Sequence, residues 1–364
     1  MSSTNGARKK RVAILIENNF EDFSVQIPRT ALEKAGAKVT LLGSRMNDEY
    51  KSKRGQISFK PQATASEMRA EDFDALIIPC GEAPDHIRAN PFAVSLVTEA
   101  LSQNLLVGAI GRGLQVIVET KQLQGKQVTG KHSISSDLKN AGAIYKNEPV
   151  VVDGNLISAR QPADLPIFTT ELLNRLKLNI EGTTLPEVQD RHFEWWKLGE
   201  GWGGSTRKEI VKALNTAIMG ERYTLEAFRQ YSYRVKDEEF RQLLQEITAG
   251  KEGHVKLLEA RLKDGFNEQI SWQAVGSEAY AILQSLLQSE EELSIWRRAI
   301  GDIQTGVVDT YHLCGRLTDL LTVTILEKIE RDLADYEQRL TDLYRKSSGD
   351  KVQPPMPSTF AAVS

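Results

Sequence analysis

Two parts of this 364-residue chain could carry chemistry. The first is a sharp turn, Gly111-Arg112-Gly113, entered from the apolar run LLVGAI (residues 105–110) and left through a helical segment from Leu114. A nucleophile on such a turn stands clear of the backbone, and the helix N-terminus behind it lowers a thiol pKa. Glycine has no side chain, so no thiolate chemistry starts at Gly111. Arg112 could hold an anion, because its guanidinium and the helix N–H groups would point the same way, or it could pair with Glu21 or another carboxylate. The second part is the helical half of the chain. A four-helix bundle hosts a dinuclear metal site when two helices each give a Glu and two give Glu-x-x-His, a spacing that puts both ligands on one face. The two cysteines, Cys80 and Cys314, fall in different halves, so no disulfide framework is indicated and a reducing, cytoplasmic compartment is expected.

The elements that must position these residues follow from the apolar pattern. Residues 11–17 (RVAILIE), 38–42 (KVTLL), 73–79 (FDALIIP) and 105–110 read as buried strands. Residues 25–35, 91–102 and those from Leu114 onward read as helices, with Gly36 as a stop. Alternating β and α predicts a flavodoxin-like three-layer α/β sandwich with a mainly parallel sheet, whose ligands bind at the carboxyl ends of the strands. Residues 178–204 break the pattern and form a Gly-rich connector that holds three of the chain's five tryptophans, Trp195, Trp196 and Trp202. Aromatics this dense imply packing against the other domain or in a partner's groove. From Ser205 to about Lys346 the spacing is helical, with helices expected near 206–234, 237–263, 272–301 and 309–345. Ser205 and Asp237 are the expected N-caps and Gly265 the expected stop. Residues 1–10 and 347–364 read as disordered tails.

The stretches FEDFSVQIPRTALEKAGAKV, EDFDALIIPCGEAP, AIGRGLQ, GKQVTGKHSISSDLKNAGA and VVVDGNLISARQPADLP resemble, in order, the PfpI/ThiJ (class I glutamine amidotransferase-like) superfamily across residues 11–177. The family elbow is A-I-C-H-G-P-Q. This chain reads Ala109-Ile110-Gly111-Arg112-Gly113-Leu114-Gln115, so the resemblance implies that the nucleophilic Cys has become Gly111 and its neighbouring His Arg112. The family carboxylate aligns with Ser24, three residues past Glu21. The pocket His aligns with Lys131, beside His132. Cys80 replaces the first Gly of a family Gly-Gly turn and is expected to be a small buried thiol, with an approach to the pocket as the alternative.

Residues 205–346 resemble the ferritin-like (bacterioferritin/rubrerythrin) superfamily through ALNTAIMGERYTLEAFRQY, QEITAGKEGHVKLLEARL, RRAIGD and ILEKIERDLADYEQRL. The resemblance implies that Glu221 and His254 retain ligand positions. Lys251 stands for a Glu, Ser289 (beside Glu290) for the third-helix Glu, Ile329 for the fourth-helix Glu and Asp332 for its His. An ammonium among carboxylates repels a divalent ion but can replace its charge. The expectation is therefore a metal-free polar core of Glu221, Lys251, His254 and Asp332. The alternatives are an iron or manganese site, or a shifted register that turns Glu252 or Glu330 inward.

A net charge of −3 gives no basic excess for nucleic acid, and no run is long and apolar enough for membrane insertion. With both sites degenerate, the chain reads as a pseudoenzyme: a scaffold, adaptor or binding protein, homo-oligomeric and stress-linked by resemblance. The alternatives are a ferritin-like oxidoreductase or iron-handling protein and a residual PfpI-type hydrolase or deglycase.

Overall fold

A computed structural model describes residues 8–270, 292–348 and 353–358. The chain divides into two compact units, Met1–Ser205 and Thr206–Ser364. In the first, a seven-stranded sheet is built from β1 (Arg11–Leu15), β2 (Lys38–Gly43), β3 (Ala63–Thr64), β4 (Ala75–Ile78), β5 (Leu106–Ile110), β6 (Val150–Asp153) and β7 (Leu156–Ala159). The strands lie in the order β6-β7-β5-β4-β1-β2-β3, and only the β6–β7 pair is antiparallel. Near-continuous Val, Ile, Leu and Ala in β1, β4 and β5 reflect burial on both faces. Helices α1 (Asp22–Lys34) and α6 (Leu165–Leu176) contact each other and the sheet. So do α3 (Pro91–Ser102) and α4 (Leu114–Glu119), with the short α2 (Ala83–Ile87) and α5 (Ser135–Asn140) beside α4. Gly36, at φ +83°, takes the left-handed turn that ends α1.

The connector belongs to the first unit. Its short helix α7 (Trp196–Gly201) leads into Trp202, which packs in the α/β core with Leu178, Ile180, Leu185 and Leu198 against it. The Trp195 indole donates to the Asp190 carbonyl (2.7 Å), and Lys34 Nζ on α1 donates to the Gly201 carbonyl (2.6 Å). All three indoles are buried.

The second unit contains α8 (Arg207–Arg234), α9 (Glu238–Phe266), α10 (Glu292–Cys314) and α11 (Leu320–Ser348). Helix α8 packs on α9 and α10 on α11, with further contacts between α9 and α11 and between α8 and α10. Phe240 stacks on Trp296 with centroids 3.4 Å apart and planes 9° from parallel.

Several expected boundaries move. Thr206, not Ser205, caps α8, because its hydroxyl accepts from Glu209 N–H while the Glu209 carboxylate accepts from Thr206 N–H. Gly265 stays helical, and α9 ends at Asn267 in the left-handed conformation, φ +51°. Asp237 caps α9 as expected. The third helix runs to Cys314, and the break falls at 315–319 rather than before Asp309. The cause is Asp319, whose carboxylate accepts from Thr322 N–H (3.2 Å) and is held by buried Arg261 of α9 (2.9 Å). The expected start of the third helix near 272, with Ser289 and Glu290, lies outside the described residues, as do residues 1–7. Residues 353–358, expected in a disordered tail, run along the bundle in defined contact with it.

Candidate functional sites

In the α/β unit, β2 and β4 flank β1 on opposite sides, so the direction of chain progression across the sheet reverses at β1. Crevices at such points are where ligands bind. The segments after β1, β4 and β5 bring Glu21, Cys80 and Gly111 there. Gly111 has φ +53°, a left-handed conformation suited to glycine. A Cβ built on it would lie 2.5 Å from Cys80 Sγ and 3.1 Å from the Arg160 carbonyl. The thiol of Cys80 thus fills the space that a side chain at the elbow would need. Cys80 is buried as expected, and it also reaches the elbow, the alternative that the sequence left open. Nothing in the spacing of residues 80 and 111 announces that contact, because it depends on β4 and β5 being neighbours.

Burial pushes the Cys80 thiol up, and nearby Glu21 pushes it further, while the Arg112 and Gly81 N–H groups and the Lys131 ammonium draw it down. The net rise keeps the thiol protonated near neutrality, where it is a poor nucleophile. Ser24, expected in the place of the family carboxylate, is fully buried and holds backbone. Its hydroxyl donates to the Glu21 carbonyl (2.6 Å) and accepts from Cys80 N–H (3.1 Å). Glu21 caps α1 by accepting from the Phe23 and Ser24 N–H groups (3.2 and 2.8 Å). Its burial raises the carboxyl to about 7, against the opposing pull of Arg54, 3.9 Å away, and of those two N–H groups. Arg112 pairs with Asp85 (2.8 Å) and reaches Gln115 (3.4 Å), not Glu21. Lys131 is half-buried, and His132 is exposed.

In the helical unit, the structure brings together the four residues expected there. Lys251 Nζ donates to Glu221 Oε1 at 3.2 Å, His254 Nδ1 lies 3.0 Å from Glu221 Oε2, and His254 Nε2 lies 3.0 Å from Asp332 Oδ2. Lys328 closes on Asp332 from the preceding turn of α11. Lys251 is 1% exposed and also lies over the Phe228 ring. Burial pushes Glu221 up, but Lys251 and His254 more than offset it and hold the carboxylate below its usual range. For Asp332, burial is likewise outweighed by Lys328 and His254, and its carboxyl is lowered. Both imidazole nitrogens face carboxylate oxygens.

This arrangement does not fit the dinuclear centre that the fold would suggest. A metal needs a free imidazole lone pair and a carboxylate excess. Both His254 nitrogens are engaged, an ammonium sits against Glu221, and Ile329, 1% exposed, is aliphatic at a ligand position. Among the described residues no group of three or more His, Cys, Asp and Glu is disposed to hold a metal ion. The alternative register fails for Glu252, which turns to Arg229. Glu330 is half-buried.

Two further polar clusters escaped sequence reasoning. Asp302 of α10 is buried and accepts from the Tyr231 hydroxyl at 2.8 Å; burial raises both groups. The Asp lies in the RRAIGD stretch, but only the packing of α8 on α10 reveals its partner. The second cluster, Arg261 with Asp319 and Thr322 (3.2 Å), ties α9 to the start of α11.

Residues 10–175 match the DJ-1/PfpI family. An uncharacterized protein of Archaeoglobus fulgidus is 38% identical over 167 residues, which are 46% of this chain and 98% of that protein. YraA of Bacillus subtilis is 39% identical over 168 residues, 46% of this chain and 99% of its own length. A crystal structure from Anabaena variabilis, described as a two-domain protein containing DJ-1/ThiJ/PfpI-like and ferritin-like domains, matches 97% of this chain and 100% of its own. It does so at 47% identity and a TM-score of 0.92.

Proposed function

This chain belongs to the DJ-1/PfpI family through its first unit and carries a ferritin-like second unit, and from that premise we propose that it acts without covalent or redox catalysis, as a two-domain scaffold or adaptor. The carrying observation is at the elbow, where Gly111 supplies no nucleophile and Cys80 Sγ occupies the space a side chain would take. A protonated, buried thiol there serves packing rather than attack. The Lys251–Glu221 pair supports the same reading in the helical unit, since its ammonium supplies the charge that a cation would otherwise bring. We read the protein as homo-oligomeric, cytoplasmic and stress-linked. Two buried free cysteines fit a reducing compartment, and among the described residues no helix is long and apolar enough to cross a membrane. The buried Trp195, Trp196 and Trp202 favour a structural role for the connector over a partner site.

The test is a paired measurement on the purified chain. Methylglyoxal turnover should be absent, and metal content by inductively coupled plasma mass spectrometry, after growth with added iron and manganese, should be far below stoichiometric. Turnover abolished by Cys80→Ala would overturn the reading in favour of a PfpI-type activity. Stoichiometric metal lost in His254→Ala would overturn it in favour of a ferritin-like oxidoreductase. Light scattering after size exclusion checks the oligomer.

A further inference from the structure

Residues 353–358 have the sequence Gln-Pro-Pro-Met-Pro-Ser, so only positions 353, 356 and 358 carry a backbone N–H. Two of these are matched on the bundle. Gln353 N–H donates to the Tyr344 hydroxyl oxygen (3.0 Å), and Met356 N–H donates to the Arg297 carbonyl (3.1 Å). Arg297 Nε in return donates to the Pro354 carbonyl (2.7 Å). The Met356 carbonyl lies flat against Gly301 of α10, where a Cβ would stand 1.7 Å from its oxygen. Ser358 then reaches Asp302 with a side-chain hydrogen bond. It completes the wall of a small recess, partly open to solvent, with Glu221, Thr224, Thr310 and Ile329. The prolines fix much of the backbone before docking, so little entropy is lost when the segment seats.

We propose that residues 353–358 are a strap that covers the polar end of this recess, with Ser358 on Asp302, and that Gly301 is the position that permits docking. A molecule that would reach Asp302 through the recess must displace the strap first. Gly301→Ala is the decisive change. It favours the helix locally, yet its Cβ collides with the Met356 carbonyl, so it ejects the strap without loosening α10.

Hydrogen–deuterium exchange on the full chain reads the docking. The Met356 amide should be protected in the wild type and exchange about tenfold or more faster in Gly301→Ala. A chain ending at residue 352 supplies a control that does not depend on that variant. In it, a thiol placed on the recess wall by Thr224→Cys should react with N-ethylmaleimide about tenfold or more faster than in the full-length Thr224→Cys chain. A Met356 amide that exchanges at the unstructured rate in the wild type, one still protected in Gly301→Ala, or equal labelling with and without the strap would each overturn the proposal.

Discussion

The sulfur of Cys80 lies 2.5 Å from the point at which a side chain on Gly111 would begin. One position at the end of β4 and one at the end of β5 therefore compete for a single volume, which the sulfur of Cys80 now takes. The coupling makes a nucleophile at position 111 harder to install than a single substitution would suggest.

Gly111→Cys alone is expected to destabilise the α/β unit by about 1–3 kcal/mol through overpacking, with the left-handed φ adding about 1 kcal/mol. Cys80→Ala should relieve the clash, because the Cys80 Cβ is 3.4 Å from the new atom, an ordinary contact. The double variant should then be more stable than the sum of the singles by about 1 kcal/mol or more. Denaturant unfolding of the four chains checks this, and strict additivity would show that the two side chains do not compete.

Lys251→Met leaves the Glu221 carboxylate buried without its cation. The expected loss is about 3–5 kcal/mol in the unfolding of the helical unit. Adding Glu221→Leu should recover much of it, because an apolar pair replaces an uncompensated charge. A loss under about 1 kcal/mol for the single change would mean that Glu221 takes up a proton or finds another partner.

Two carboxylate clusters act in opposite directions on pH. Glu21 is raised to about 7, so the folded chain holds a proton that the unfolded chain has released, and its contribution declines as pH rises from 4.5 to about 7. Glu21→Gln should flatten that decline and stabilise the α/β unit at pH 8 by at most roughly 3 kcal/mol. Glu221 and Asp332 are lowered, so their contribution is complete above the usual 4.5 and 3.8 and is lost as pH falls below them. Thermal melts from pH 3 to pH 8 should show both slopes, with the alkaline one missing in Glu21→Gln.

Trp202→Ala should destabilise the α/β unit by about 3–5 kcal/mol, the usual cost of emptying a core aromatic, and leave the bundle's transition unchanged. Calorimetry of the full chain separates the two transitions. A shift confined to the bundle would contradict the placement of Trp202 in the α/β core.

Some features needed no coordinates. Strands as apolar as VAILI and ALII can satisfy themselves only when buried on both faces, and long stretches with apolar residues every three or four positions can only be bundle helices. Glu221, Lys251, His254 and Asp332 were legible too, through the ligand pattern that the ferritin-like resemblance implies. Local chemistry failed at helix ends, where a capping box at Thr206 and a left-handed Asn267 displaced Ser205 and Gly265 as punctuation. The sequence by itself determined the two-domain architecture and a turn at Gly111 that carries no side chain. Only the tertiary structure decided that Cys80 fills the space beside it, that Arg112 is spent on Asp85, that Asp302 meets Tyr231 and that the Met356 carbonyl seats on Gly301. Each of these joins residues from separate elements, and their meeting depends on strand order and helix packing, which no local pattern of residues encodes.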